Sequence, residues 1–230
     1  MNIDSSKSFF EFLAEYTDES KVRLFRGVSS DKHKLIPSIG RLKSKNNDRE
    51  LTEKDEETMF KRFKQRSKPY FSKDYDDMNL LAIAQHHGLP TRLLDWTYNP
   101  LAAAYFAVEN EIVQPADSLK KVDCSLIYVF DKKFKTDLDQ SFESIKVSEL
   151  CFFIPHHNDT RITNQNGLFS VHPYPWEELV NDNISKVSID LKFRKELRKI
   201  LNRLGVNQST IYPGLDGLAS HIKWVDTNYY

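Results

Sequence analysis

Residues Pro100 to Val108 read PLAAAYFAV, and no side of a helix built from them is polar. Leu101, Ala104, Tyr105 and Val108 fall on one face, while Ala102, Ala103 and Phe106 cover the others. A helix that is apolar all round is stable only when covered on all sides, so the rest of the chain must build layers around this one. Its start is well marked. Asn99 supplies a cap, and Pro100 takes the first helical position, where a missing N–H costs nothing. The helix is therefore expected to be central.

The elements that could surround it follow from periodicity. Phe9, Phe12, Leu13 and Tyr16 make one apolar face of a first helix over Ser5–Tyr16. VRLFRG predicts a short strand ending at Gly27, and a charged helix is expected from about Arg49 to Ser67. A further helix runs from Asp77 to His87, stopped by Gly88 and Pro90. TRLLDW reads as extended. Cys124–Phe130, Glu149–Ile154 and Gly167–His172 are apolar runs suited to interior strands, and Lys186–Leu191 alternates like a half-exposed one. Two helices close the chain. One spans Lys192–Leu204 and ends at Gly205; the other, Gly214 to about Trp224, carries Leu215, Leu218, Ala219 and Ile222 on one face. Helices lie early and late and strands mostly in the second half. This is an α+β pattern, expected as one domain over residues 1–230 with a central mixed or antiparallel sheet and flanking helices.

The bulk numbers remove several function classes. Across 230 residues the formal net charge is zero, against a main role in coating nucleic acid. The basic stretch KRFKQRSK, Lys61–Lys68, reads more readily as a solvated face. No apolar run approaches a membrane span, and the N-terminus lacks the layout of a signal peptide. Two cysteines in apolar surroundings, Cys124 and Cys151, read as reduced thiols, so the expected compartment is the cytoplasm, with no membrane partner.

Chemistry-bearing motifs are sparse. The histidines occur as adjacent pairs, His86-His87 and His156-His157, which point about 100° apart on a helix, and no metal-ligand spacing exists. Neither cysteine has an activating neighbour. Nucleophile elbow, phosphate loop and dinucleotide fingerprint are all missing. What remains is a scattered polar set. Arg26, at a strand end before Gly27, presents a fork suited to phosphate oxygens, and the glycine would let a ligand approach the backbone. Arg92 and Asp95 stand three apart in an extended segment, on opposite sides, so they are not expected to pair. Asp95, Trp96 and Thr97 precede the buried helix, whose N-terminus is a natural anion site. Alternatively Asp95 or Thr97 caps that helix, or Arg26, Arg92 and Asp95 form a buried network that only fixes the fold. Asp216, in the last helix's first turn, is a further candidate acid.

Four blocks, LFRGVSSDKHKLIPSIGR, AQHHGLPTRLLDWTYNPLAAAYFAV, RITNQNGLFSVHP and IYPGLDGLA, occur in the order seen in FRG-domain proteins, and the chain resembles that family from about Leu24 to Ala219. The family's layout is similar to the ADP-ribosyltransferase fold, with an early Arg or His that holds NAD, a hydroxyl-bearing strand feeding an Ala-rich helix, and a late strand carrying an acid. By that resemblance Arg26 clamps the diphosphate of NAD beside Gly27. Thr97 shapes the ribose and nicotinamide pocket, Arg92 and Asp95 lie on its wall, and Trp96 or Tyr105 offers a stacking face. Gln165 takes the late acidic position. It can bond a ribose hydroxyl but brings no charge. Glu109-Asn110-Glu111 has a Glu-x-Glu spelling but follows the Ala-rich helix directly, not the late strand. The resemblance thus implies an ADP-ribosyltransferase or NAD glycohydrolase, a bacterial defence or toxin effector with a protein or nucleic-acid acceptor. The alternative is a non-catalytic nucleotide- or partner-binding module that kept the cleft and lost the acid.

Overall fold

The computed structural model describes residues 1–16, 22–45, 48–114, 121–132, 145–155 and 167–228. Seven strands form one mixed sheet: β1 (Asn2–Ile3), β2 (Val22–Val28), β3 (Leu93–Thr97), β4 (Cys124–Lys132), β5 (Cys151–Phe153), β6 (Gly167–Val171) and β7 (Ile184–Asp190). Their order is β1-β7-β4-β2-β3-β6-β5, with β1 parallel to β7 and every other pair antiparallel. Among the described residues the helices are α1 (Ser6–Tyr16), α2 (Glu53–Ser67), α3 (Asp77–His86), α4 (Pro100–Val108), α5 (Arg194–Arg203), α6 (Gln208–Ile211) and α7 (Leu215–Asn228). None is long and apolar enough to cross a membrane. The α+β class and mixed sheet agree with the sequence pattern.

The sheet is weakest in its middle. β2 pairs with β4 over seven residues and β3 with β6 over five, yet β2 and β3 meet only at Phe25 and Thr97. Directly opposed residues share a face, so Phe25, Gly27, Leu93, Asp95 and Thr97 lie on one side. Helices cover that side in two separate groups. One core joins α1, α4, α5 and α6 to the β2–β4–β7–β1 half through Phe9, Phe12, Phe25, Ala103, Ile127, Val187 and Leu197. The other joins α2 and α3 to the β3–β6–β5 half through Phe60, Met78, Leu81, Leu93, Phe169 and Val171. On the opposite face Leu24, Leu94, Trp96, Tyr128 and Leu168 are closed over by the loop bearing Leu35. The division between the two helical groups falls where the strands part.

α4 is central, as its composition requires. Six of its nine residues are buried, and the Asn99 Oδ1 cap accepts Leu101 N–H at 2.9 Å. Its far end is capped from a distance: the buried Arg194 guanidinium donates to Ala107 O at 2.5 Å and also to Asn110 O and Ser125 Oγ. Gly27 explains how closely α4 packs. A Cβ there would stand 1.8 Å from Ala103 O, so only glycine lets β2 carry this helix.

Some boundaries differ from expectation for clear reasons. α2 begins at Glu53 rather than Arg49 because the Asp55 carboxylate turns back to accept Thr52 N–H at 2.7 Å and holds Arg49 outside the helix. α3 stops as expected, with Gly88 at φ +90. α7 turns its apolar row outward: Leu215, Leu218 and Ile222 are exposed, and Gly217 is the buried residue, set against Tyr212 O. β1 and α6, too short for a periodicity signal, add to both ends of the first core.

Candidate functional site

A cleft of about 470 Å³ opens where β2 and β3 separate. Its walls are Phe25 to Ser29 of β2 and its following turn, Asp95 to Thr97 of β3, Gly167 to Phe169 of β6, Gln85 and His86 of α3, Phe106 and Glu109 at the end of α4, Tyr212, and His33, Lys34 and Arg41. A second lobe of about 380 Å³ continues past Arg26, Arg41, Gln85 and Asp95 toward Pro90.

Arg26 bridges the split. Its Nη1 donates to Asp95 O at 2.7 Å and to Asp95 Oδ2 at 3.2 Å, so the guanidinium stands where a further ladder bond would otherwise be. Asp95 Oδ1 accepts Gln85 Nε2–H at 2.9 Å, and Gln85 Oε1 in turn accepts the Thr91 hydroxyl. The pair remains wet: the Arg26 side chain is 19% exposed and that of Asp95 63%. Arg41 stands close enough to Arg26 to feel its charge, and Lys34, ion-paired to Glu178 at 3.3 Å, also lines the cleft. Burial pulls the Arg41 guanidinium below its ordinary range, and the charge of Arg26 pulls it the same way. His33 is lowered by burial and then by Arg41 and Arg26, so it stays neutral in this cationic corner. Positive charge thus gathers around Arg26 in a chain whose total charge is zero.

Where the cleft meets the end of α4 its lining is acidic and apolar. Glu109 sits one residue past α4 with its carboxylate accepting the Tyr212 hydroxyl at 2.8 Å. Burial raises its pKa, while Tyr212 and the charge of Arg198 oppose the rise. Beside it Phe106 and Tyr212 meet edge-on, ring centroids 6.4 Å apart. These are the cleft's accessible aromatic rings.

The residues expected at the site divide sharply. Arg26, Gly27, Asp95, Trp96 and Thr97 all border the cleft. Trp96 and Tyr105, expected to offer a stacking face, expose only 2% and 1% of their surface; Trp96 Nε1 is bonded to Ser170 Oγ, and Tyr105 lies in the core beneath α4. Thr97 Oγ1 accepts Asn99 N–H, so it shapes the approach to α4 rather than presenting an open hydroxyl. The Gly27 α-carbon faces α4, and its glycine identity answers helix packing rather than ligand approach. Arg92 is not a wall of the cleft. It is spent on Glu56, with bonds at 2.7 and 3.0 Å between two side chains each 1% exposed. It does not pair with Asp95, as its spacing implied. Gln165 lies outside the described residues. Asp216 is exposed in the first turn of α7 and does not border the cleft.

Two features escaped sequence reasoning. The cleft runs along α4 toward its C-terminal end, not its N-terminus, so the expected helix-dipole anion site is not what faces the cavity. As a result Glu109, whose Glu-x-Glu spelling was visible but set aside by position, lines the cleft as a second carboxylate besides Asp95. The signal was its place directly after an all-apolar helix, where a lone acid is forced to the edge of the core. Arg41, His33, Gln85 and Tyr212 carried no such signal.

No curated protein and no solved structure matches this chain. The family model that does match is that of the FRG domain, over residues 21–115, and this stretch supplies β2, β3 and α4 and with them Arg26, Asp95 and Glu109.

Proposed function

We propose that the cleft takes NAD and that the chain acts as an ADP-ribosyltransferase-like enzyme, cleaving the nicotinamide–ribose bond and passing ADP-ribose to an acceptor or to water. The observation that carries this reading is that Arg26 and Glu109 line one cavity, which thus holds both a cation fork and a half-buried carboxyl. Arg26, with Arg41 and Lys34 nearby, suits a diphosphate, whose paired oxygens fit a guanidinium fork. The Phe106 and Tyr212 edges suit a flat ring at the acidic end. The cavity is within the usual size of a small-molecule site, roughly 300–1,000 Å³.

The chemistry needs little more. As the C1′–N bond breaks, its electron pair returns to the nicotinamide ring and positive charge grows on the ribose. A carboxylate beside it stabilises that charge and accepts the proton of the attacking hydroxyl or water as the new C1′–O bond forms. In this reading Glu109 serves both tasks. Tyr212 fixes its direction, and its raised pKa makes it a better base than an exposed glutamate. The role expected of an acid on the late strand, where Gln165 has only an amide, passes to Glu109 in this reading.

The test is a titration with NAD followed by detection of free nicotinamide. Binding with release supports the enzyme, and no binding at millimolar NAD overturns it. Glu109→Gln should keep NAD affinity and lose about 10²–10⁴ in turnover. A wild-type chain that binds NAD without release would instead be the non-catalytic module.

A further inference from the structure

A second cavity, of about 590 Å³, lies across the end of α4 from the cleft. It is floored by Val108, Asn110 and Glu111, walled on one side by α5 and on the other by the C-terminal half of α7. Four cations converge there, because Arg194, Lys195, Arg198 and Lys199 recur at i, i+1, i+4 and i+5 and so form one stripe of α5. Among the described residues Glu111 is the only carboxylate that lines it.

The cations are not equivalent. Arg194 is committed to the carbonyls that end α4. Arg198 stands over Trp224, its guanidinium carbon 4.6 Å from the ring centroid. Stacking occupies a guanidinium's face and leaves its in-plane N–H edge for acceptors. Burial lowers the pKa of Arg198, and the nearby Tyr105 and Glu109 offset part of that drop. Arg198 therefore stands between the two cavities, with Lys195 exposed and Lys199 half-buried beside it, and Thr227 and Asn228 adding polar groups.

We propose that this second cavity is a binding site for a small phosphate-bearing anion, held by Lys195, Arg198 and Lys199 over the Trp224 platform. A solvated basic face would be convex and its arginine mobile; here the cations line a concavity of ligand size and the central one is stacked and desolvated. Such a ligand and Glu109 would both draw on the charge of Arg198. The proposal is independent of what the first cleft binds.

The probe is inorganic pyrophosphate, titrated calorimetrically and by Trp224 fluorescence. It is added to an Arg26→Ala background so that the first cleft loses its fork. Saturable binding is expected, lost by about tenfold or more in Lys195→Glu/Lys199→Glu, since two charge-assisted contacts to the anion are turned into repulsions. The double variant should melt with its parent, because both lysines border the cavity rather than the core. Adding Glu109→Gln should tighten binding severalfold by releasing Arg198. Binding that ignores the lysine reversals, or no binding at millimolar pyrophosphate, overturns the site. Affinity unchanged by Glu109→Gln overturns the part assigned to Arg198.

Discussion

Arg26 and Arg92 stand on neighbouring parts of the same fold, each beside a carboxylate, and the two pairs have opposite characters. Arg92 and Glu56 are 1% exposed, and Glu56 accepts three bonds from Arg92, one of them from its backbone amide at 2.9 Å. Arg26 and Asp95 face each other at the solvent-accessible split, with Asp95 63% exposed. The first pair ties α2 to the start of β3 and has nothing left to offer a ligand. The second closes a gap in the sheet loosely and can exchange its carboxylate for another anion. Burial, not residue type, separates the structural arginine from the available one.

The largest effect should come from breaking the buried pair. Arg92→Ala leaves Glu56 in the core with the backbone amide bond but no countercharge, and should cost about 3–5 kcal/mol, a loss read directly in chemical denaturation. Replacing both partners at once, Arg92→Met with Glu56→Leu, should recover most of that stability, because no charge is then stranded. A double variant as unstable as the single one would mean that the pair is needed for its directed bonds to the Arg92 backbone.

His172 reports on both arginines together. It is 3% exposed, bonded to Ser170 Oγ, and its pKa is pushed down to about 4 by burial first and then by Arg26 and Arg92. The native state therefore binds fewer protons than the unfolded one over this range. Its neutral imidazole carries a stability dependence that is satisfied above about pH 6.5 and is lost as pH falls toward 4, worth about 3 kcal/mol over that window. His172→Gln, whose amide can still meet Ser170, should flatten the denaturation-against-pH curve between those limits. Arg26→Ala should flatten it only slightly, since burial is the larger cause.

Gly27 tests how the two regions are kept apart. Gly27→Ala places a methyl 1.8 Å from Ala103 O, so α4 or β2 must shift, at a cost of about 1–3 kcal/mol. Because the same helix carries Phe106 and Glu109 to the cleft, the variant should lose ligand affinity as well as melting temperature. An unshifted melting temperature would show that α4 has freedom to move away from β2.

The sequence made α4, the strands around it and the α+β class legible, because each rests on local periodicity or on a cap such as Asn99. It also placed Arg26 and Asp95 near one another's element. What it could not show were properties decided by long-range pairing. Nothing local tells that Arg92 meets Glu56, 36 positions away, or that β2 and β3 touch at one residue pair and then part. Trp96 and Tyr105 looked like platforms because large aromatics serve equally in cores and clefts; only the register of β3 and the burial of α4 assign them to the core. The exposed row on α7 is the converse case. A periodic apolar face says that a helix is amphipathic, not which side meets the protein, and Gly217 settles the matter through a close backbone approach.

The smallest stability effect should come from the open pair, and it is the one that decides whether Arg26 belongs to a site. Exposed ion pairs contribute about 0–1 kcal/mol, so Arg26→Ala should remain folded with a melting temperature close to wild type. Asp95→Asn should also be nearly silent in the melt, since its amide can still accept from Gln85. Their effects on binding should differ in sign. Arg26→Ala removes the fork and should abolish NAD binding. Asp95→Asn removes a carboxylate that competes with the ligand for that same fork, and should leave NAD affinity unchanged or tighten it severalfold. If Arg26→Ala instead unfolds the chain as Arg92→Ala should, the two arginines are equivalent and the cleft has no available cation at its centre. If both variants weaken binding alike, Asp95 positions Arg26 for the ligand rather than occupying it, and the contrast between a spent and an available arginine must be redrawn around the pair.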